Sequence, residues 1–229
     1  MEFLIEVINY TSYEWILLVG SALLVGISKT SISGLLMPVI AVLALQFGGK
    51  ESTAIVLFLL IIGDLFAVFF YKRDVLWADI VRLMPPTFVG LGIGVVTGEL
   101  INDAVFKSIL STIVIICLIL LIYNEKKGER VQISNGSAIT VVSGVVSGFA
   151  SMIGNSAGPI FAVYLLAMGM KKKRYLGTTA WFFLIVNVSK VPLQIFFWDN
   201  VGWDNIVLAL VLIPAVTIGA FLGFFFISR

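Results

Sequence analysis

GISKTSISG, residues Gly26–Gly34, breaks an otherwise apolar run that extends from Trp15 to Phe47. A second polar break, SMIGNSAGP at Ser151–Pro159, interrupts a run from Gly136 to Gly169. Trp15–Phe47 is 33 residues counted inclusively. One membrane span takes about 20 residues, so the run is too long for one span and too short for two spans and a turn. In both runs two apolar arms of about 13–16 residues flank the break, and each arm rises about 20 Å. Across a hydrocarbon core of about 30 Å that reaches past the midplane. Each run is therefore either one broken span or a re-entrant hairpin that enters and leaves on the same side.

Outward from the breaks, 53–71, 80–98, 103–123 and 205–227 read as spanning helices, and 175–198 is long enough to be a fifth although it carries Lys190 and Pro192. The distribution of charge separates the two readings of the breaks. With both runs re-entrant, one side holds Lys72, Arg73, Arg82, Lys126, Lys127, Arg130, Lys171, Lys172, Lys173, Arg174 and Arg229, and the other holds only Lys50 and Lys107. With both runs crossing, the loop cations divide almost evenly. Cytoplasmic loops carry the excess of Lys and Arg, so the hairpin reading is preferred, with the N-terminus outside and the basic loops in the cytoplasm.

The composition agrees. The chain has 229 residues, 60% of them hydrophobic and 12% charged, and a mean hydropathy of +1.10. A soluble domain carries about 25% charged residues, so this chain belongs in a bilayer. The first residues carry Glu2, Glu6 and Glu14 rather than the basic start of a signal peptide. Histidine is absent, which removes His-ligated metals, Ser-His-Asp triads and histidine relays. Cys117 is the only cysteine, so no intramolecular disulfide forms. No catalytic residue, metal or cofactor is expected, and no nucleotide-binding G-x-x-x-x-G-K-[ST] run is present.

The halves repeat. Pro38 and Pro159 are 121 apart, Ser52-Thr53-Ala54 and Thr178-Thr179-Ala180 are 126 apart, as are Val75-x-Trp77 and Val201-x-Trp203, and Pro85, Gly90 and Gly94 precede Pro214, Gly219 and Gly223 by 129. Matches in order with slowly drifting spacing indicate an internal repeat. The first repeat, 1–123, is a hairpin (15–47) and three spans. A cytoplasmic loop, 124–135, leads to the second, 136–229, a hairpin (136–169) and two spans. Three spans are an odd number, so the second repeat runs inverted, as in many secondary transporters. The expected fold is all-α and integral to the membrane, with the second repeat one final helix short of the first.

Lys29, Asp64 and Lys190 lie inside apolar segments. An ionisable group at that depth costs at least ~2.5–3.5 kcal/mol and normally faces protein or water. Each returning arm starts near the midplane, where helix N-termini leave free N–H groups, proline is tolerated, and glycine permits close approach. Two such N-termini facing one point attract an anion. The expected substrate site comprises Lys29, Thr30, Ser31, Ser33, Gly34, Asn155, Ser156, Ala157, Asn187 and Lys190, with Asp64 as a coupling residue. Plainer roles stay open. Lys29 can simply pair with Asp64, Lys190 can satisfy the Val188 carbonyl freed by Pro192, and the small residues can serve close packing.

The pattern G-x-S-K-T-x-x-x-G-x-x-x-P at Gly26–Pro38, the later V-x-W…P…G…G, and the repetition of both resemble the sulfite exporter TauE/SafE family, also called the toluene-sulfonate uptake permeases. The resemblance extends from Trp15 to Gly223. Many members carry a Gly-rich cluster where this chain has Ser31-Ile32-Ser33-Gly34, and the family usually completes a final helix. The resemblance implies a bacterial or archaeal cytoplasmic-membrane transporter of organic or inorganic anions, often sulfur oxyanions such as sulfite, sulfonates or sulfoacetate. The expected partners are a small anion and the lipid bilayer, with no nucleic acid and with a homodimer left open. An anion channel and a scaffold subunit are the alternatives. An intramembrane enzyme would need a second carboxylate or an activated nucleophile beside Asp64.

Overall fold

Thr11 and Glu14 start the first helix. In a computed structural model that describes residues 10–31, 33–72, 75–127, 137–170 and 172–228, the Glu14 carboxylate accepts the Thr11 N–H at 2.8 Å and the Thr11 hydroxyl accepts the Glu14 N–H at 3.3 Å. This capping box holds two of the N–H groups that the helix leaves unpaired. Helix α1 (Ser12–Thr30) has 19 residues, or about 28 Å of rise. It stops where Ser31 leaves helical geometry (φ −138°, ψ −84°) and its hydroxyl donates to the Ile27 carbonyl at 2.7 Å. A tight turn at Ser33–Leu35 leads into α2 (Leu36–Phe47), with Pro38 in its first turn. Helix α2 runs back along α1. The Gln46 amide donates to Glu14 at 3.2 Å, and the Tyr10 ring lies edge-on to Phe47 at 5.8 Å. Both ends of this hairpin therefore lie on one side.

Three long helices follow, α3 (Gly49–Tyr71), α4 (Trp77–Leu100) and α5 (Asp103–Lys127). The second hairpin consists of α6 (Ser137–Gly154) and α7 (Gly158–Ala167), joined through Asn155 at φ 54°, a left-handed conformation that asparagine tolerates. Its ends also meet, the Thr140 and Tyr164 hydroxyls lying 3.4 Å apart. Helix α8 (Lys172–Leu193) passes Pro192, which has no N–H to give, widens into a π turn at Gln194–Trp198 and ends at left-handed Asp199 (φ 48°). Helix α9 (Trp203–Ser228) is the last element described. The described residues contain no strand.

Six of these helices are long and apolar enough to cross a membrane, and the chain is an all-α, multi-pass membrane protein. The sequence pattern anticipates five of these, and α1 is a sixth helix of that length, although it forms the first arm of a hairpin. The capping box adds a turn before Trp15, and Ser28–Thr30 remain helical despite their polarity. The first arm of each hairpin, 19 and 18 residues, is thus longer than expected, and the returning arms have 12 and 10. Glu2, Glu6, Arg73, Arg130, Lys171 and Arg229, and loop residues 128–136, for which the sequence also carries expectations, lie outside the described residues.

The hairpins pack across the repeat. Helix α1 lies parallel to α9 with the backbones nearly touching: a Cβ on Gly26 would strike the Val216 carbonyl, and one on Gly219 the Leu23 carbonyl. Helix α6 lies parallel to α4 in the same way, with Gly148 against the Thr87 carbonyl and Gly90 against the Val145 carbonyl. Small residues are what permit such close helix contact in a membrane. The Thr30 hydroxyl adds a bond to the Ala220 carbonyl at 2.9 Å. Helices α3 and α8 run between these two pairs. The bundle interior is apolar, with Phe161 stacked on Phe182 at 4.0 Å, and the outer surface is apolar too, with Leu45, Leu100 and Phe196 at 79%, 79% and 80% exposure. An apolar exterior of this kind suits lipid.

Candidate functional site

The charged residues at depth come together. On α3, Asp64 is 1% exposed. Lys29, at the end of α1, places its ammonium 2.7 Å from Asp64 Oδ1, and the Asn187 amide of α8 donates to Oδ2 at 2.7 Å. The Lys29 ammonium also stands 4.7 Å above the centre of the Phe183 ring. Lys190 is fully buried. It donates to the Ser151 carbonyl at 3.0 Å and to Asn155 Oδ1. Among the described residues the ion pairs are Lys29–Asp64 and Lys107–Asp103, so Lys190 has no carboxylate of its own. Two lysines against one aspartate leave a formal charge of +1 in a buried cluster.

The repeat orders this cluster. Asp64 and Lys190 are equivalent at a spacing of 126, and Lys29 and Ser151, in the first arms of the two hairpins, are equivalent at 122, the spacing of Gly26 and Gly148, which meet the equivalent Val216 and Thr87 carbonyls. Each hairpin arm bonds the equivalent position of a long helix, with the charge exchanged. In one half a hairpin cation meets a helix anion, and in the other a hairpin carbonyl meets a helix cation.

A cavity of about 50 Å³ lies among these groups. About 10–15 Å³ of such volume holds one water, so the space takes roughly three to five waters or one small oxyanion. Ser28, Lys29 and Ser31 line it from the first hairpin, Ser151, Asn155 and Gly158 from the second, Asp64 and Leu60 from α3, and Tyr175, Thr179, Phe183 and Asn187 from α8. Leu36 and Gly158, the first residues of the two returning helices, both line it, so both helix N-termini border the cavity. A Cβ on Gly158 would meet nothing within 4 Å. The Thr179 hydroxyl is buried without a hydrogen-bond partner. The donors available to an anion here are the Lys29 ammonium, hydroxyls and amides. Asp64 is the one carboxylate among the lining residues, and the described residues contain no group of three acidic or thiol side chains that could hold a metal.

Of the residues expected from sequence, Lys29, Ser31, Asn155, Asn187 and Asp64 line the cavity, and Lys190 supports it through Ser151 and Asn155. Lys190 bonds those two groups rather than Val188. Thr30, Gly34, Ser156 and Ala157 are not among the lining residues. The Thr30 hydroxyl is used on the Gly26 and Ala220 carbonyls. Gly34 faces Leu121 of α5. The Ser156 hydroxyl donates to the Gly154 carbonyl at 2.8 Å, its own carbonyl accepts from Cys117, and Ala157 is buried in the core beside it. The Ser33 side chain lies outside the described residues. Sequence reasoning missed Ser28, Ser151, Tyr175 and Thr179 as lining residues. Ser28 and Ser151 stand in the two quoted breaks and Thr179 marks the repeat, so the polar tips and the repeat together carried the signal.

No curated protein and no solved structure matches the chain significantly. The family model described as sulfite exporter TauE/SafE matches residues 18–229, which contain both hairpins and every long helix but the start of α1. With the match covering nearly its whole length, the chain belongs to the sulfite exporter TauE/SafE family of membrane transporters.

Proposed function

We propose that the chain is a secondary transporter of a small oxyanion, sulfite or a sulfonate, bound in the cavity between the hairpin tips. One observation carries this reading: fully buried Lys190 has no carboxylate partner, and the one carboxylate in the cluster, Asp64, is taken by Lys29. A buried charge is costly until it is paired, and an anion in the cavity supplies the missing partner. Lys29, the amides of Asn155 and Asn187, the hydroxyls of Ser28 and Thr179, and the two helix N-termini surround the oxygens, with Ser31, its proton given to the Ile27 carbonyl, lining the wall. Lys190 acts from behind, through Asn155. The family name supports a sulfur oxyanion, and the cavity volume supports a small one.

Asp64 is the coupling residue in this proposal. It holds the Lys29 ammonium at 2.7 Å, and a proton on it releases that ammonium to the anion. The cavity reaches Tyr175 and Leu176 in the first turns of α8, just after the basic run 171–174. With basic loops in the cytoplasm, the N-terminus is outside and the cavity loads from the cytoplasm, the direction an exporter needs. The repeats 1–123 and 136–229 alternate access by moving against each other.

The test is thermal unfolding of the detergent-purified protein with sulfite, sulfate, sulfoacetate, phosphate and chloride. A ligand at a hundredfold excess over Kd stabilises by about 2.7 kcal/mol, which for a chain of this size raises Tm by about 5–10 °C. The expected result is a rise with a sulfur oxyanion and none with chloride. No rise with any anion overturns the assignment.

A further inference from the structure

The cavity follows α8 outward from Phe183 to Tyr175, and the equivalent surface of α3 is sealed. At the 126 spacing Tyr175, Thr179 and Phe183 correspond to Gly49, Thr53 and Leu57. The Thr179 hydroxyl faces the cavity without a partner. Thr53 is 2% exposed and surrounded. Its hydroxyl donates to the Lys50 carbonyl at 2.6 Å and accepts from the Asn200 and Gln194 amides at 3.4 and 3.5 Å. Its carbonyl accepts from Asn155 at 3.2 Å. Asn200 also donates to the Lys50 carbonyl at 2.8 Å.

Gln194 and Asn200 come from the π turn and the loop after it. Helix α3 has no such turn and runs as regular helix past Val68, the equivalent of Gln194. Trp198, from the same turn, closes the layer beyond. Its indole N–H donates to the Val95 carbonyl at 3.1 Å and its ring lies edge-on to Phe106 at 5.6 Å. The seal is loosely bonded. The contacts to the Thr53 hydroxyl are at the long limit for hydrogen bonds, and Gln194 Oε1 and Asn200 Oδ1 are buried acceptors with no donor. An orphaned buried acceptor disfavours the state that buries it, because opening to water satisfies it.

We infer that Thr53, Gln194 and Asn200 form a gate that closes the anion path on the face opposite the cavity mouth and opens when the mouth closes. The inference rests on the transport reading above. It assigns a task to a π turn and two orphaned amides that the anion site does not use.

The experiment is single-cysteine labelling in a Cys117→Ser background, with a charged maleimide applied to either face of oriented vesicles. Thr179→Cys is expected to label at least about tenfold faster than Thr53→Cys, and only from the cavity face. Adding Gln194→Ala and Asn200→Ala is expected to raise Thr53→Cys labelling from the opposite face about tenfold, the effect of losing the Asn200 bond to the Lys50 carbonyl and the side chains that cover position 53. Sulfite should still raise Tm in that variant. Equal labelling of Thr53→Cys and Thr179→Cys with the amides intact overturns the gate, as does labelling that the double alanine leaves unchanged. If the double alanine fails to fold, the comparison with intact amides is decisive alone. A labelling contrast with no Tm rise from any of the anions overturns the transport reading and leaves the seal around Thr53 as a closed layer without an anion to gate.

Discussion

Lys190→Met separates a functional lysine from a structural one. The side chain is fully buried, bonded to one carbonyl and one amide oxygen, and has no carboxylate partner. Removing it leaves Asn155 Oδ1 without its donor, at about 1–3 kcal/mol, while the Ser151 carbonyl keeps the Asn155 N–H at 3.0 Å. It also removes a buried charge whose desolvation costs several kcal/mol. The two effects offset, so Tm of the ligand-free protein should change little or rise. Binding should weaken. An anion in the cavity lies one asparagine side chain from the ammonium, about 6 Å, and at an effective dielectric of 20 their attraction is about 3 kcal/mol. That converts to roughly a hundredfold in Kd. Calorimetric titration with sulfite at fixed ionic strength reads it directly. A Kd within threefold of the parent, with a large fall in ligand-free Tm, would refute the argument and make Lys190 a packing residue.

Three further outcomes follow from single contacts. Thr179→Val removes a hydroxyl that has no protein partner, so Tm should hold while sulfite affinity falls by about fivefold to tenfold, the worth of one hydrogen bond; unchanged affinity would remove Thr179 from the site. Asp64→Asn leaves Lys29 without its counter-charge and should cost about 3–5 kcal/mol in stability, most of it recovered by Lys29→Met in the same chain, and a double-mutant cycle in detergent melts shows whether the two effects are independent. Gly90→Ala drives a methyl into the Val145 carbonyl and should destabilise by about 1–3 kcal/mol, while Gly92→Ala, where a Cβ meets nothing within 4 Å, should be neutral or slightly stabilising; equal melts for the two would refute the close α4–α6 contact.

The architecture was legible where polarity interrupts apolar runs. The two breaks announced hairpins, and the bonds Gln46–Glu14 and Thr140–Tyr164 bring each hairpin's ends together. Lys29, Asp64, Asn187 and Lys190 stood out because ionisable and amide groups at that depth need protein partners. The Lys29–Asp64 pair was among the open readings and is present, but the partners of Lys190 and Asn187 were not legible, since they depend on which helix the fold sets opposite which. The tips were overread. Thr30 and Ser31 are adjacent, but one turns to Ala220 of α9 and the other to the cavity, and no periodicity survives where a helix ends. The sixth long helix had a similar cause: Ser12–Glu14 look too polar for a membrane helix until the capping box counts them as its first turn. Thr179 was visible only as half of a repeat match, because its orphaned hydroxyl is a fact of three-dimensional placement.

The parallel α1–α9 and α6–α4 contacts also determine how this chain assembles during synthesis. The Thr30 hydroxyl and the Ala220 carbonyl that accepts its proton are 190 positions apart in sequence, whereas Gly90 and Val145 are 55 apart. Contacts so distant in sequence form late. The second hairpin finds its glycine-lined seat on α4 as soon as it leaves the ribosome. The first hairpin, with its charged tip already in the bilayer, cannot take its own seat until α9 has been made, so it docks after the second.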